Sequence, residues 1–384
     1  MTNTNKPLLK IGFILDGGLS EPDGVQQYIL TLGSFYKSCG HKVVYIVAGE
    51  VNYGQADAVS LNSTMAVRSN GNRLTIPILP VRQAKIRQFL KDQQFDVLHI
   101  QAPYNPVFGE RFIYLASKNT AIIGTFHVVP NGWLLNVGNF MLGAWSRLSI
   151  KRFDKIISVS DAAARVVKRD FGVKTEVIPN PINYPRFKKA KPLAGNDNCL
   201  NILFLGRLVK RKGCLDLIKA IYILSQTADL PPFKLIICGK GPLWSSLDNF
   251  VTTHNLHNLV EFKGFVSEEI KPRYYASADI TVFPASGGES FGIVLLEAMA
   301  SGRSAVIAAD NEGYKTVLKH QPEQLFPTNN PAALASRIEQ LMLHSKLRAD
   351  IAASGSAYAA KFDVKLVGGT LLDFYYKALL KKRS

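Results

Sequence analysis

Two glutamates, separated by seven intervening residues, stand in the stretch SGGESFGIVLLEAMASG, residues 286–302. The second, Glu297, lies inside an apolar run that predicts a helix ended by Gly302. A buried carboxylate is costly unless it is paired or solvated, so Glu297 either faces solvent or serves a ligand in a cleft. The glycines before the helix would let a ligand approach the backbone, and the helix start would offer amide donors to phosphate. Glu289 stands in that loop, and Glu297, about two turns into the helix, could accept hydrogen bonds from ribose hydroxyls.

Two cations follow a predicted strand in LNILFLGRLVKRKG, residues 200–213. Arg207 comes directly after Gly206, and Lys212 precedes Gly213 and a predicted helix. Full charges beside the amide donors of a helix start favour a phosphate site. A solvated basic turn is the alternative for this motif alone. The nucleotide-binding pattern G-x-x-x-x-G-K-[ST] is absent.

Two further signals are weaker. In LIICGKGPL, residues 235–243, Gly239 and Gly241 allow a tight turn at a strand end, which is also typical of an ordinary strand-to-helix connection. His127 ends the strand-like stretch GTFH. A single histidine at a strand end is more often a structural hydrogen-bonding group than a catalytic one.

These residues need elements to position them, and the chain alternates short β-rich runs with amphipathic helical stretches. This alternation predicts βαβ units on mainly parallel sheets. A basic, proline-containing segment at 180–198 interrupts the pattern, which then restarts. We therefore predict an α/β protein with a first domain over 1–185, a linker over 186–198, a second domain over 199–362 and a C-terminal helix over 363–384. Ligands of such sheets bind at the carboxyl ends of the strands, and two domains would face a central cleft.

The composition limits the classes of partner and the cellular compartment to be expected. The formal net charge is +17, and residues 1–195 carry 24 Lys and Arg against 12 Asp and Glu, a net of +12. The first half therefore favours an acidic partner, namely nucleic acid, a phosphorylated substrate or anionic lipid, although high charge also simply aids solubility. No apolar run of spanning length and no signal peptide is evident. The four dispersed cysteines indicate free thiols in a reducing, cytoplasmic compartment.

Residues 203–213, 239–242 and 283–302 together resemble the family-four retaining glycosyltransferases of the GT-B fold. In that family two glutamates with this separation mark the donor site. The match of GGESFGIVLLEAMASG, with DGVQQYILTLGSFYKSCGHKVVYIVA and FDVLHIQAP in the first half, is similar to the phosphatidylinositol mannosyltransferase branch. The resemblance covers nearly the whole chain and implies two Rossmann-like doubly wound domains.

The resemblance implies a role for each matching position. Arg207 and Lys212 would neutralise the diphosphate leaving group, Glu289 would contact the donor sugar, and Glu297 would contact the ribose. His127 would lie near the transferred sugar, and Gln26 would face the acceptor. Further donor contacts fall on the following residues: Gly24, Gly239, Gly241, Gly264, Val266, Ser290, Phe291 and Gly292.

The resemblance also implies the reaction. A retaining transfer would move a hexose, expected to be mannose from GDP-mannose, to a membrane-associated acceptor such as phosphatidylinositol. The absence of Asp-x-Asp fits catalysis without a metal, and no cofactor is expected beyond the nucleotide-sugar co-substrate. Three positions depart from the family pattern: Asp23, Gln101, where many relatives have a second histidine, and Pro181. These departures bear on the acceptor more than on the reaction.

Alternatives remain at this point. A transferase that uses a UDP-sugar and a soluble or other lipid-linked acceptor fits the same motifs. A basic nucleic-acid-binding protein fits the charge, but no binding motif and no aromatic-interleaved basic stretch supports it. A dehydrogenase is disfavoured because no G-x-G-x-x-G follows the first strand.

Residues 81–95, VRQAKIRQFLKDQQF, predict a helix that would bind a membrane surface. Its apolar stripe of Ile86, Phe89 and Leu90 would pack on the sheet. This packing is either the whole role of the helix, or the cations of the helix also face anionic headgroups. Four cations flank or oppose the stripe, namely Arg82, Lys85, Arg87 and Lys91. The stretch WLLNVGNFMLGAW, residues 133–145, could dip into the interface beside them. We therefore expect peripheral attachment to the cytoplasmic face of a membrane.

Overall fold

The computed structural model describes residues 6–19, 24–51, 57–62, 64–69, 72–77, 81–101, 108–127, 143, 146–193 and 199–383. Its contacts divide the chain into two compact units. The first unit is Met1–Pro181 with Val364–Ser384, and the second is Ile182–Asp363. The first segment of the first unit thus ends at Pro181, four residues before the predicted end of the first domain at 185.

The helices and strands of the first unit alternate as the βαβ pattern indicates. In chain order they are β1 (Lys10–Leu15), α1 (Gly24–Ser38), β2 (Lys42–Val47), β3 (Ala58–Ser60), β4 (Thr64–Ser69), β5 (Asn72–Pro77), α2 (Gln83–Gln93), β6 (Val97–Gln101), α3 (Gly109–Leu115), β7 (Ala121–Phe126), α4 (Arg147–Ile150), β8 (Lys155–Ser158), α5 (Asp161–Phe171), β9 (Glu176–Val177) and, after the second unit, α14 (Val364–Arg383).

Seven strands of the first unit form a parallel sheet in the order β3-β2-β1-β6-β7-β8-β9. The pair β4-β5 is a separate antiparallel hairpin. The chain moves outward from β1 to β3 and returns on the other side at β6, so the topological switch lies between β1 and β6. Such a switch leaves an opening at the carboxyl ends of the two strands, where doubly wound sheets bind ligands.

The sheet of the first unit is covered on both faces. Ile11 and Phe13 of β1 pack with α1 and α14 on one face, and Ile14 packs with α2 and α3 on the other. This explains why the strands are almost continuously apolar, as in other parallel sheets. Helix α14 supplies Leu371 and Tyr375 to the core although it lies at the far end of the sequence.

The second unit repeats the alternation with its own elements. They are α6 (Tyr184–Lys188), β10 (Leu200–Leu205), a 3-10 turn (Lys210–Lys212), α7 (Cys214–Ser225), β11 (Phe233–Cys238), α8 (Trp244–Thr253), β12 (Val260–Gly264), α9 (Lys271–Ser277), β13 (Ile280–Phe283), α10 (Ile293–Ser301), β14 (Ala305–Ala309), α11 (Glu312–Leu318), a 3-10 turn (Pro322–Gln324), β15 (Leu325–Phe326), α12 (Pro331–Leu343), α13 (Ser345–Ala359) and a 3-10 turn (Ala360–Phe362).

The six strands of the second sheet are parallel, in the order β12-β11-β10-β13-β14-β15. The switch point lies between β10 and β13, whose exits carry Arg207 and Glu289. The predicted linker over 186–198 is not wholly a linker, because it begins inside α6. The side chain of Asn183 caps that helix by accepting a hydrogen bond from the Arg186 amide at 3.2 Å, and Phe187 is buried.

Candidate functional site

The second unit brings the basic turn after β10 to the loop after β13. Nζ of Lys212 lies 2.7 Å from Oε1 of Glu289, and Nη1 of Arg211 lies 2.7 Å from the same oxygen. The backbone holds the two segments together, because the amide of Ser286 donates to the carbonyl of Arg211 at 2.9 Å. One carboxylate oxygen thus joins two cations at the switch point of the sheet.

Burial and charge oppose one another in this cluster. Burial alone would raise the pKa of Glu289, but the attraction of Lys212 and Arg211 outweighs it, so the pKa lies below its usual value. Burial lowers the pKa of Lys212, and Glu289 only partly reverses that effect. Arg207, exposed at the exit of β10, lies close enough to lower the pKa of Lys212 further. Lys212, Arg211 and Arg207 thus bring cations together at this switch point, which suits a diphosphate.

The glycines after β11 allow two segments of backbone to approach each other closely. A Cβ added to Gly239 would lie 1.9 Å from the carbonyl oxygen of Gly206, and one added to Gly241 would lie 2.4 Å from the carbonyl oxygen of Leu208. The exits of β10 and β11 therefore approach too closely for any side chain there. This packing requirement is a sufficient reason for both glycines, so they carry little weight as signs of a ligand.

The other donor-site candidates of this unit lie at strand exits or beside them. Gly264 ends β12, and Val266 follows it half-buried. Ser290 is half-buried after Glu289, while Phe291 is buried with its ring 6.0 Å from that of Phe362. Gly292 adopts φ +93° directly before α10, a left-handed conformation that favours glycine.

Glu297 is buried in α10 and pairs with a lysine. Its Oε1 lies 2.8 Å from Nζ of Lys271, which also lies 2.8 Å from Glu268. Burial raises the pKa of Glu297, whereas the two carboxylates raise the pKa of Lys271 despite its burial. Among the described residues nothing hydrogen-bonds to Oε2 of Glu297. This buried oxygen keeps the capacity to accept a hydrogen bond from a ligand hydroxyl.

In the first unit, His127 follows β7 and is buried. Its Nε2 lies 2.8 Å from Oε1 of Gln101, the last residue of β6, and its ring meets the ring of Tyr28 edge-on at 4.8 Å. Burial lowers the pKa of His127 to about 3, so the imidazole is neutral near pH 7. The residue is suited to hydrogen bonding and not to carrying charge.

Gly24 and Gln26 lie in the first turn of α1. Gly24 is the exposed first residue of the helix, whereas Gln26 is buried and its amide donates to the carbonyl of Gly18 at 2.6 Å. Asp23 lies outside the described residues, as does the predicted interfacial stretch 133–145 apart from Gly143.

Helix α2 realises the predicted amphipathic pattern over a slightly shorter span. Ile86 is buried in the core, and Phe89 and Leu90 pack against it half-buried. All four predicted cations are exposed, and Nζ of Lys85 donates to the carbonyl of Leu61 at 3.1 Å. Within the described part of the chain, no helix has the length and hydropathy that would span a membrane, and no three His, Cys, Asp or Glu side chains group as metal ligands.

Several polar partners in these sites were not predicted. Arg211 could have been recognised from its place beside Lys212 in the basic turn. The pairing of Lys271 with Glu297 carries no local signal, because it spans 26 residues, although Glu268 and Lys271 are only three residues apart. The contact of Gln101 with His127 likewise depends on the pairing of β6 with β7.

Comparison with solved structures identifies the fold. The chain is similar to a glycosyltransferase from Rickettsia africae, with a TM-score of 0.77, 20% identity and coverage of 97% of this chain and 99% of that one. It is also similar to Anabaena HepE in complex with UDP and glucose, with a TM-score of 0.76, 20% identity and coverage of 96% and 100%. The two parallel sheets with their helices thus have the GT-B fold of glycosyltransferases, as predicted.

Sequence comparison gives the family. Residues 22–186 match the family described as Glycosyltransferase Family 4, and residues 185–357 match Glycosyl transferases group 1. A phosphatidyl-myo-inositol mannosyltransferase of Mycobacterium leprae is 30% identical over 96% of both chains, and one of Mycolicibacterium smegmatis is 29% identical over 96% of this chain and 93% of that one. The chain belongs to glycosyltransferase family 4 and is a glycosyltransferase, which confirms the predicted enzyme class.

Proposed function

We propose that this enzyme transfers a mannosyl group from GDP-mannose, with retention of configuration, to a phosphatidylinositol-type acceptor at a membrane surface. The observation that carries the proposal is the similarity over 96% of the chain to relatives named phosphatidyl-myo-inositol mannosyltransferase. The clustered cations at the switch point of the second sheet agree with a diphosphate leaving group.

In the proposed reaction, the bond between the anomeric carbon and the diphosphate oxygen breaks while the acceptor oxygen bonds to the same face. The diphosphate takes the acceptor proton as it leaves. Lys212 and Arg207 stabilise the charge that develops on the diphosphate, and Glu289 holds the donor sugar. Oε2 of Glu297 accepts a hydrogen bond from a ribose hydroxyl.

A UDP-sugar is the main alternative donor. Anabaena HepE, which shares the fold, was crystallised with UDP and with UDP-glucose. A donor screen distinguishes the two interpretations. The enzyme is incubated with phosphatidylinositol vesicles and labelled GDP-mannose, UDP-glucose or UDP-N-acetylglucosamine, and the transfer of labelled sugar to lipid is measured. We expect transfer from GDP-mannose with the α configuration kept. Transfer from a UDP-sugar alone would contradict the proposed donor.

The cationic cluster is tested by Lys212→Met. This change removes one contact to the diphosphate, and the loss of a comparable oxyanion donor costs about 2.7–4 kcal/mol, or roughly 10²–10³ in kcat. Lys210→Met is a matched control, because Lys210 is exposed in the same 3-10 turn. Equal turnover of the two variants would contradict the assignment of Lys212.

Membrane attachment is proposed through α2. The apolar stripe of this helix is occupied by packing, so the cations remain as the groups that can meet anionic headgroups, each contributing about 1 kcal/mol near such a surface. We expect co-sedimentation with anionic vesicles at low salt and little with neutral vesicles or at high salt.

The attachment is tested by changing four cations of α2 and its N-cap position to Gln at once and comparing a control with the same change in charge. The α2 variant should lose binding to anionic vesicles, whereas the control should keep it. Equal loss in both variants would mean that net charge alone binds the membrane. The α2 set is Arg82, Lys85, Arg87 and Lys91, and the control set of exposed lysines from the second unit is Lys234, Lys319, Lys346 and Lys361.

A further inference from the structure

Two polar side-chain pairs join the ends of β6 and β7. Gln101 lies beside Thr125 in the register of these strands, and His99 lies beside Ile123. Each of these β6 side chains contacts the residue two positions after its register partner, which is Thr125 for His99 and His127, just after β7, for Gln101. His99 Nε2 lies 2.6 Å from Oγ1 of Thr125, and Gln101 Oε1 lies 2.8 Å from Nε2 of His127. All four residues are buried, so these pairings decide where their protons reside.

The amide of Gln101 has one orientation that satisfies both of its neighbours. Its Nε2 lies 3.4 Å from the backbone carbonyl oxygen of His99, which can only accept a hydrogen bond. The reversed amide would set two acceptor oxygens against each other with no proton between them. Oε1 therefore faces His127, and it can only accept.

The ring of His127 must then supply the proton of the 2.8 Å contact. We propose that Gln101 is a positioning residue that holds the neutral imidazole of His127 with its hydrogen on Nε2, leaving the lone pair on Nδ1. Burial, which lowers the pKa of His127 to about 3, agrees with a ring that carries only one proton.

The tautomer determines what His127 can recognise. With the lone pair on Nδ1, that nitrogen accepts a hydrogen bond and cannot donate one. The ligand group that fits is a hydroxyl, such as one on a sugar, and not a carbonyl or phosphate oxygen. This step rests on the proposed function, whereas the position of the proton does not.

Nitrogen NMR measures the tautomer without substrate. The full chain is labelled with ¹⁵N-histidine, and the signals of His127 are identified by their loss in His127→Gln. We expect Nε2 protonated and Nδ1 unprotonated in the unchanged protein. In Gln101→Met, which keeps the length but removes the acceptor, the proton should redistribute towards Nδ1.

A buried hydrogen bond just before the starts of the same two strands gives the control. Thr120 precedes β7, is buried, and donates to the carbonyl of Phe95 at 2.8 Å. Thr120→Val should leave the His127 signals unchanged. A proton on Nδ1 in the unchanged protein, or unchanged His127 signals in a Gln101→Met protein that melts cooperatively, would overturn the proposal.

Kinetics then test whether Gln101 acts through His127. Gln101→Met should lower kcat about tenfold, which corresponds to about 1.4 kcal/mol. In a His127→Ala background the same change should alter kcat by less than about twofold, since the two effects are not independent. A tenfold loss in both backgrounds would contradict a positioning role. If no sugar donor supports turnover, the proposed function fails while the NMR result still decides the tautomer.

Discussion

Lys271 shows how a single residue pairs with a carboxylate that is buried inside a helix. It lies between Glu297 and Glu268, and the side chains of Lys271 and Glu297 are only 7% and 6% exposed. An isolated buried charge is strongly unfavourable, so Glu297 needs a partner such as Lys271. Because Lys271 contacts Oε1, the other oxygen, Oε2, can still accept a hydrogen bond from a ligand. The apolar neighbours of Glu297 thus surround an ion pair whose lysine lies 26 residues away in the sequence.

We therefore expect Lys271→Met to destabilise the protein by about 3–5 kcal/mol, because it leaves Glu297 buried and unpaired. Adding Glu297→Gln should restore part of that loss, since the uncompensated charge is then gone. Urea unfolding of the two single variants and the double variant measures both effects. Additive losses would show that the two residues are not energetically coupled.

The exits of β6 and β7 show what neighbouring elements impose on one another. Helix α14 reaches this region, where the hydroxyl of Tyr375 lies 2.7 Å from Nδ1 of His99. Burial, with a smaller contribution from His127, lowers the pKa of His99 to about 3, and burial does the same to His127. Both histidines are therefore held neutral by the packing of the elements around them.

This arrangement predicts that stability falls in mild acid. Unfolded histidine has a pKa of about 6.5, so between pH 6.5 and 3 the unfolded chain binds more protons than the folded chain. The stabilisation is complete above pH 6.5 and declines as the pH drops. From about pH 7.5 to about 5 the loss should be about 2 kcal/mol for each histidine, at about 1.36 kcal/mol per pKa unit.

Urea midpoints at several pH values test this prediction. His99→Leu should lower stability at pH 7 but give a shallower decline with acid, because one of the two groups is removed. His257→Gln is the control for removal of an exposed histidine, and the slope of His99→Leu is compared with its slope. A slope that is the same in His99→Leu and in the unchanged protein would contradict the neutral, buried state of His99.

At the scale of the whole molecule, one unit is formed by a single continuous segment of the chain and the other by two segments. The second is one continuous segment, Ile182–Asp363, with its own core and both ion-pair clusters. The first needs a second segment, because α14 packs on α1. The hydroxyl of Tyr36 donates to the carbonyl of Gly368 at 3.1 Å, and Lys6 lies 2.6 Å from Asp373.

We expect residues 182–363 to fold cooperatively when expressed alone and to bind a nucleoside diphosphate. Residues 1–181 alone should expose the surface that Leu371 and Tyr375 cover, and should fold only when 364–384 are supplied by fusion or co-expression. Circular dichroism melts and calorimetric titration with GDP measure both outcomes. A cooperative melt of 1–181 by itself would contradict the structural role of α14.

Local patterns were sufficient for much of this protein. Apolar runs and turn residues predict the strands and helices, because hydrophobic periodicity and turn chemistry act over a few residues. The motifs around Arg207, Lys212 and Glu289 predict their place at strand exits for the same reason. The family resemblance rests on these contiguous stretches, and the comparisons confirm it.

Only the folded chain decided which distant groups meet. Glu297 is a paired, buried carboxylate because α9 carries Lys271 to α10, and His127 has a defined partner because β6 pairs with β7. The glycines after β11 are required by the approach of β10, and α14 completes the first unit from the opposite end of the chain. No local signal encodes these contacts, because they arise from strand order and from the burial that closes each core.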